Sequence, residues 1–263
     1  MITPFILTIL IAGIVTAGLK IRFDRFFVIL LLLFLFGKGI NQSIDIFLWV
    51  IALGAASILL QNRLEIFKME PAKKKKMFIF IPVMTFVFAG IGSYLFSISS
   101  TNILLITLAI LAFLYGLRLA FLHFKKHEFN YENEKPGYVK ICGLFGPVIS
   151  GISLGFIGTS LKSLKIPFGV KLGKMDIKQV YFGNTITAFF ASGFAIFWHK
   201  VLTGTSNEQL FTNFMLGASL WVGVHYIYEF TDIFFPNKWR KAFQVIVGLV
   251  LLIAGMKVIG MIQ

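Results

Sequence analysis

The sequence is poor in charged residues, in acidic residues above all, and in cysteine. Only 14% of its 263 residues are charged and 57% are hydrophobic, whereas soluble domains carry about 25% charged residues. Such a chain cannot cover a water-facing surface, so the composition indicates an integral membrane protein. The single cysteine, Cys142, excludes an internal disulfide and a metal site built from several cysteines. The first residues lack a basic start and a small-residue cleavage site, so we expect no cleavable signal peptide.

Most of the charged residues are basic: the sequence has 25 Lys and Arg but only 11 Asp and Glu, which gives a net charge of +14. In a soluble protein this excess would suggest a nucleic-acid partner. Here 21 of the 25 basic residues lie in short segments between apolar runs, as cytoplasmic loops of membrane proteins do. We therefore expect a lipid bilayer and no nucleic acid as the partner. The basic segments are 20–25, 63–76, 125–140, 162–178 and 238–241.

Long apolar runs predict an all-α polytopic fold, multi-pass in a cell membrane, here the bacterial inner membrane. Six runs are long enough to span a bilayer, or nearly so: 44–60, 77–97, 102–124, 179–198, 209–230 and 242–261. Two regions are different. Residues 5–19 and 26–36 are short apolar pieces separated by basic residues, and 141–161 is rich in glycine. The run 26–36 would reach only about 17 Å as a helix, so these regions are predicted to be broken or re-entrant.

The chain shows a weak internal repeat. "GIVTAGLK" at 13–20 aligns with "GFIGTSLK" at 155–162. We predict a first transmembrane repeat at 1–126, a cytoplasmic linker at 127–139 and a second repeat at 140–263, each a broken segment plus three helices. Loop charges make the two repeats inverted, as in many secondary transporters. A second register aligns "PAKKKKMFIFI" at 71–81 with "PNKWRKAFQVI" at 236–246 and would make the repeats parallel.

Three stretches carry a resemblance to a known family: "SGISLGFIGTSL" leading to "KIP", then "FGNTITAFFASG", and finally "PNKWRKAFQVIVGLVLLIAG". Together they resemble the TauE/SafE family of bacterial sulfite and organosulfonate exporters. The resemblance covers most of the chain and is stronger after residue 140. It implies export of small sulfur-containing anions such as sulfite, thiosulfate or organosulfonates. Where the family has further glycines, this chain has Thr159 and Ser160, which leaves the particular substrate open.

An anion carried through a membrane needs hydrogen-bond donors and positive charge from the protein. The second Gly-rich segment offers both, because Gly155 and Gly158 permit a break in the helix and hydroxyls and an ammonium follow. The two repeats are expected to rock around a substrate site between them. The predicted site residues are Lys20, Thr159, Ser160, Lys162, Asn184 and Thr187.

Each of these features also has a purely structural interpretation. Glycines four apart, as at Gly151 and Gly155, commonly let helices pack closely. Lys162 and Lys165 would then extend toward lipid headgroups. Asn184 and Thr187 share a helix face and would then bond to neighbouring helices.

Other functions have weaker sequence support. The histidines form no metal-ligand array and no phosphate-binding loop is present, so we expect no cofactor and no enzymatic activity. An anion channel would use the same site residues. A lipid-modifying enzyme would have to rely on His123 with Glu128, and a structural subunit also remains an alternative. The driving ion, with His225, Arg118 and Lys257 as embedded candidates, and a homo-oligomeric state are left open.

Overall fold

The computed structural model describes residues 2–19, 26–68, 71–121, 136–167, 170, 177–236 and 239–262. Every regular element within these ranges is helical. In chain order the helices are α1 (Ile2–Leu19), α2 (Phe27–Phe34), α3 (Ile40–Gln61), α4 (Arg63–Lys68), α5 (Pro71–Lys75), a π-helical turn (Lys76–Phe80), α6 (Ile81–Ile98), α7 (Thr101–Phe121), α8 (Pro136–Ile157), α9 (Lys162–Pro167), α10 (Ile177–Thr203), α11 (Asn207–Phe234) and α12 (Arg240–Ile259).

The predicted multi-pass membrane fold is confirmed. Among the described residues, six helices are long and apolar enough to cross a bilayer. They are α3, α6 with the preceding π-helical turn, α7, α10, α11 and α12, and each contains or overlaps one of the six predicted runs. The chain is therefore an all-α polytopic membrane protein.

The surface of these helices is what a lipid environment requires. In α7, apolar side chains recur on the exposed face at every third or fourth position, namely Ile103, Ile106, Ile110, Leu114, Leu117 and Phe121. The opposite face is equally apolar and buried, at Leu104, Leu108, Leu111 and Ala112. A helix that is hydrophobic all round is stable at a protein boundary only if its outer solvent is also apolar.

The second predicted broken segment is interrupted at Gly158, one of the two glycines predicted to permit a break, while residues 20–25, between α1 and α2, lie outside the described residues. Helix α8 begins at Pro136 and runs unbroken for 22 residues, but its apolar part, Gly143–Ile157, is shorter than a membrane-spanning helix needs. It passes through Gly155 and ends at Ile157, so the break follows Gly155 instead of including it. Helix α2 has only eight residues, and six of them are buried. Its burial fits a short segment shielded from lipid by protein.

The described helices fall into two compact units. One contains α1, α2, the first residues of α3, α7, nearly all of α11, and α12. The other contains the rest of α3, α4 to α6, α8, α9 and α10. Each unit draws helices from both predicted repeats. The division into repeats at 127–139 stays a prediction, and most of that linker lies outside the described residues.

Close helix packing through glycine holds the second unit together. Helix α6 packs most extensively on α8 and α10. A Cβ added at Gly155 would lie 2.5 Å from the carbonyl oxygen of Ala89, and one added at Gly151 would lie 2.8 Å from Cβ of Phe88. At Gly92, an added Cβ would overlap the carbonyl group of Ile152. The structure thus shows the close-packing role that glycines four residues apart have in membrane helices.

Glycines also bring α1 and α11 together in the first unit. A Cβ added at Gly13 would overlap the side chain of Ile227, and one added at Gly223 would lie 2.7 Å from Cδ1 of Ile9. The two backbones approach at these points because one residue of each contact lacks a side chain.

The packing predicts a position-specific response to alanine. Gly92→Ala should lower the thermal stability of the detergent-purified protein by about 1–3 kcal/mol, because its methyl group meets backbone atoms that cannot turn away. Gly193→Ala, in α10, is the matched control: an added Cβ there meets nothing within 4 Å, so helix propensity should make the change neutral or stabilising. Equal melting temperatures for the two variants would contradict this packing.

Candidate functional site

The interruption after α8 is a tight reversal of the chain. Gly158 has φ of +71° and Leu161 has φ of +47°, both in the left-handed region. Glycine adopts this conformation freely, whereas leucine does so at a cost of roughly 1–2 kcal/mol. The ammonium of Lys165, in α9, donates a hydrogen bond to the Ser150 hydroxyl two turns before the end of α8. Helix α9 therefore folds back toward α8.

Three of the predicted site residues lie together in this reversal and are buried. Thr159 is 0% exposed, Ser160 is 2% exposed and Lys162 is 8% exposed. The ammonium of Lys162 lies 4.5 Å from the ring centroid of Tyr181, on α10, a cation–π arrangement. A buried ionisable side chain in a membrane protein is by default a candidate functional group.

Asn184 and Thr187 lie on α10, as predicted, and both bond to their own helix. The side-chain nitrogen of Asn184 donates to the Val180 carbonyl at 2.8 Å, and the Thr187 hydroxyl donates to the Gly183 carbonyl at 2.8 Å. The Asn184 amide keeps a second N–H for another acceptor, whereas the hydroxyl of Thr187 has only one hydrogen. Asn184 is thus the stronger of the two candidates, and the role of both stays a prediction.

Lys20 lies outside the described residues, but the end of α1 just before it is described. The Ala17 carbonyl accepts a hydrogen bond from the Arg240 guanidinium at 2.6 Å. Arg240 also forms an ion pair with Asp232 at 2.7 Å. The Ala17 carbonyl near the end of α1 therefore receives a side-chain donor from α12.

A corresponding donor at the end of α8 was missed by the sequence reasoning. Nε2 of His199, on α10, lies 2.6 Å from the Gly155 carbonyl oxygen, and the imidazole stacks on Phe96 with centroids 4.1 Å apart and planes 6° apart. His199 is 3% exposed. The sequence offers one signal, a histidine at the end of an apolar run in "FWHK", but nothing in it places that residue against α8.

The embedded candidates for ion coupling lie elsewhere. His225 stacks on Trp221 within α11, with ring centroids 5.9 Å apart. The ammonium of Lys257, in α12, lies 4.8 Å from the centroid of Phe34. Both contacts lie within the first unit.

The fold and the site define a class: a multi-pass helical membrane protein with a buried lysine at an interrupted helix. Comparisons with protein-family models, with curated proteins and with solved structures gave no match to this chain. The resemblance to the TauE/SafE family therefore stays a prediction.

The reversal predicts an order of stability at position 158. Gly158→Ala should destabilise the protein by about 1–2 kcal/mol because Cβ disfavours the left-handed conformation. Gly158→Asn should cost less, since asparagine tolerates this conformation better than alanine although it is larger. Gly183→Ala, at a glycine with nothing within 4 Å of an added Cβ, should not destabilise. Thermal unfolding measures the stability of all three variants. A larger loss of stability in Gly158→Asn than in Gly158→Ala would show that the available space, and not the backbone angle φ, limits which residue fits at position 158.

Proposed function

We propose that this protein is a membrane transporter that exports small sulfur-containing oxyanions such as sulfite, thiosulfate or organosulfonates. The multi-pass fold provides the setting, and the TauE/SafE resemblance suggests the substrate class and the bacterial inner membrane. The observation that carries the proposal is the burial of three neighbouring polar residues, Thr159, Ser160 and Lys162, at the reversal after α8.

Electrostatics at the reversal favour an anion. The C-terminal end of α8 contributes a partial charge of about −0.5 from its helix dipole. Lys162 and Lys165 follow the reversal on α9; the ammonium of Lys165 binds the Ser150 hydroxyl of α8 and that of Lys162 lies over the Tyr181 ring of α10. Two lysines on one short helix next to the reversal favour an anion over a cation as ligand.

Hydrogen bonding at the reversal suits an oxyanion. Ser160 and Thr159 lie two and three residues before Lys162 and are buried, and a hydroxyl is a donor that suits a sulfur-bound oxygen. Helix α9 has only six residues, so its dipole contributes little and the ammonium and hydroxyl groups provide the binding. Charge-assisted bonds of this kind are the strong ones.

Corresponding glycine contacts support the predicted repeat. Ile9 contacts Gly223 and Gly13 contacts Ile227, while Gly151 contacts Ala89 and Gly155 contacts Ser93. Ile9 and Gly13 of α1 precede Gly151 and Gly155 of α8 by 142 residues. Ala89 and Ser93 of α6 precede Gly223 and Ile227 of α11 by 134 residues. The same two offsets relate both contacts, although α6 and α8 pack extensively while α1 packs chiefly on α12 and α2. This agrees with the register that aligns 13–20 with 155–162.

The proposal predicts which charge matters for transport. In proteoliposomes, Lys162→Ala should reduce sulfite and thiosulfate flux by about 10- to 100-fold, the effect of losing a hydrogen bond to a charged group. Thr159→Ala with Ser160→Ala should raise the substrate concentration for half-maximal flux. Lys241→Ala is the matched control, since it removes a lysine from an exposed position in α12 and should leave flux unchanged.

The same assay separates the alternatives. A transporter saturates with substrate, whereas an anion channel shows flux that rises in proportion to concentration. Unaltered flux in Lys162→Ala, with the protein folded and reconstituted, would exclude this site. Conversion of added lipid to a new product, without anion flux, would instead identify a lipid-modifying enzyme.

A further inference from the structure

Two exposed lysines stand where the chain enters the membrane at the start of α6. Lys75 and Lys76 end the run of four lysines at 73–76, and Lys76 is the first residue of the apolar span 76–98. Both are exposed. Neither side chain forms an ion pair or a hydrogen bond with any residue that the structure describes. The described part of the protein therefore supplies no counter-charge for these two ammonium groups.

The ammonium of Lys76 lies in the contact between α6 and α8. A Cβ added at Gly143 would be 2.5 Å from Nζ of Lys76, so only a residue without a side chain leaves room for the ammonium here. Four residues after Gly143 comes Pro147, which lacks the N–H that would bond the Gly143 carbonyl in a regular α-helix. An ammonium has three hydrogens to donate. Lys76 can therefore stay beside this backbone and still bind an anion.

A π-helical turn forms the entry of α6 at the same place. It spans Lys76–Phe80 and ends just before Pro82. Proline at position 82 removes the N–H that would bond the Phe78 carbonyl. The wider turn instead directs the Ile81 N–H to the carbonyl of Lys76, five residues earlier. Such turns are rare and occur frequently at functional sites.

Helices α6 and α8 begin at the same face of the membrane. Their contacts advance together along both chains, since Lys76 lies at Gly143 and Phe88 lies at Gly151. The basic segments 63–76 and 125–140 precede these helices, and the loop charges predict that both are cytoplasmic. The two exposed lysines are thus expected at the cytoplasmic leaflet, where anionic lipids attract basic groups next to membrane helices.

Exposed apolar side chains continue from the lysines into the membrane. Ile79 and Val83 follow on the α6 side, and Leu144 and Phe145 directly follow Gly143 on α8. A phospholipid presents the matching order of groups, with a negative phosphate at the surface and apolar chains beneath it. A soluble anion would match the lysines alone.

We propose that Lys75 and Lys76 bind the phosphate of an anionic phospholipid, whose acyl chains lie against the exposed faces of α6 and α8. Charge complementarity selects the lipid, because two unpaired ammonium groups meet an anionic headgroup at close range. A zwitterionic phospholipid carries its own cation beside the phosphate and should bind less tightly. The inference requires the membrane fold and does not depend on the transported substrate.

The test titrates dioleoyl phosphatidylglycerol and dioleoyl phosphatidylcholine into full-length protein in nonionic detergent and counts bound lipid by native mass spectrometry. Wild-type protein should bind the first phosphatidylglycerol about 10-fold or more tighter than phosphatidylcholine, since each lysine near an anionic headgroup contributes about fivefold. Lys75→Gln with Lys76→Gln should lose about 10- to 30-fold in phosphatidylglycerol affinity, whereas arginine at both positions should retain it. Lys241→Gln, at an exposed lysine of α12, is the matched control and should change the affinity less than about twofold.

Three results of this titration would overturn the inference. They are wild-type protein without a preference for phosphatidylglycerol, an unchanged preference in the folded double glutamine variant, and an equal loss in Lys241→Gln. Inorganic phosphate in large excess should not displace the lipid, because it lacks acyl chains to bury. Complete displacement would show that a free anion, and not a lipid, occupies the two lysines.

A second measurement uses wild-type protein alone. In nanodiscs, an amine-reactive reagent should modify Lys75 and Lys76 about fivefold more slowly with phosphatidylglycerol present than in phosphatidylcholine alone. Lys241 should slow much less, since it reports only the general surface potential. Equal slowing at all three lysines, read by peptide mass spectrometry, would contradict a specific site.

Discussion

The backbone at an interrupted helix determines much of this structure. Inside a membrane protein a carbonyl group that the helix leaves unbonded has little water to turn to, so a side chain must satisfy it. The end of α1 receives the Arg240 guanidinium at Ala17, and the end of α8 receives the His199 imidazole at Gly155. Both donors come from other helices that are far away in sequence.

Glycine makes this arrangement geometrically feasible. Helices α6 and α8 approach so closely at Gly92, Gly151 and Gly155 that added methyl groups would meet backbone or Cβ atoms. This approach places α8 against a rigid neighbour over its whole second half, so the reversal at Gly158 begins from a fixed point. In lipid the hydrophobic effect does not drive helices together, because lipid tails are as apolar as the helix surfaces. Close packing of this kind is therefore one of the main interactions that hold membrane helices together. Glycine therefore has two roles in this stretch: Gly151 and Gly155 let α8 pack closely on α6, and Gly158 adopts the left-handed conformation that reverses the chain.

The sequence predicted the elements far better than their junctions. Six spanning helices followed from apolar runs, because the length of a bilayer sets their length. The burial of Lys162 with Thr159 and Ser160 agrees with the predicted grouping of those residues. Of the two glycines predicted to permit a break, Gly158 reverses the chain and Gly155 lies within α8 as a packing residue, and nothing local in the sequence distinguishes these two roles. His199 was missed because its partner is a backbone carbonyl 44 residues away, and no local pattern encodes such a contact.

The central claim is that the reversal after α8 holds a small oxyanion against Lys162. The most direct measurement is an experimental structure of the protein with selenate, a heavier oxyanion that anomalous scattering can locate. The account predicts an anomalous peak within hydrogen-bond distance of the Lys162 ammonium, with Thr159 or Ser160 as a further donor. Selenate located only at the exposed basic loops, with the reversal unoccupied at saturating concentration, would contradict it.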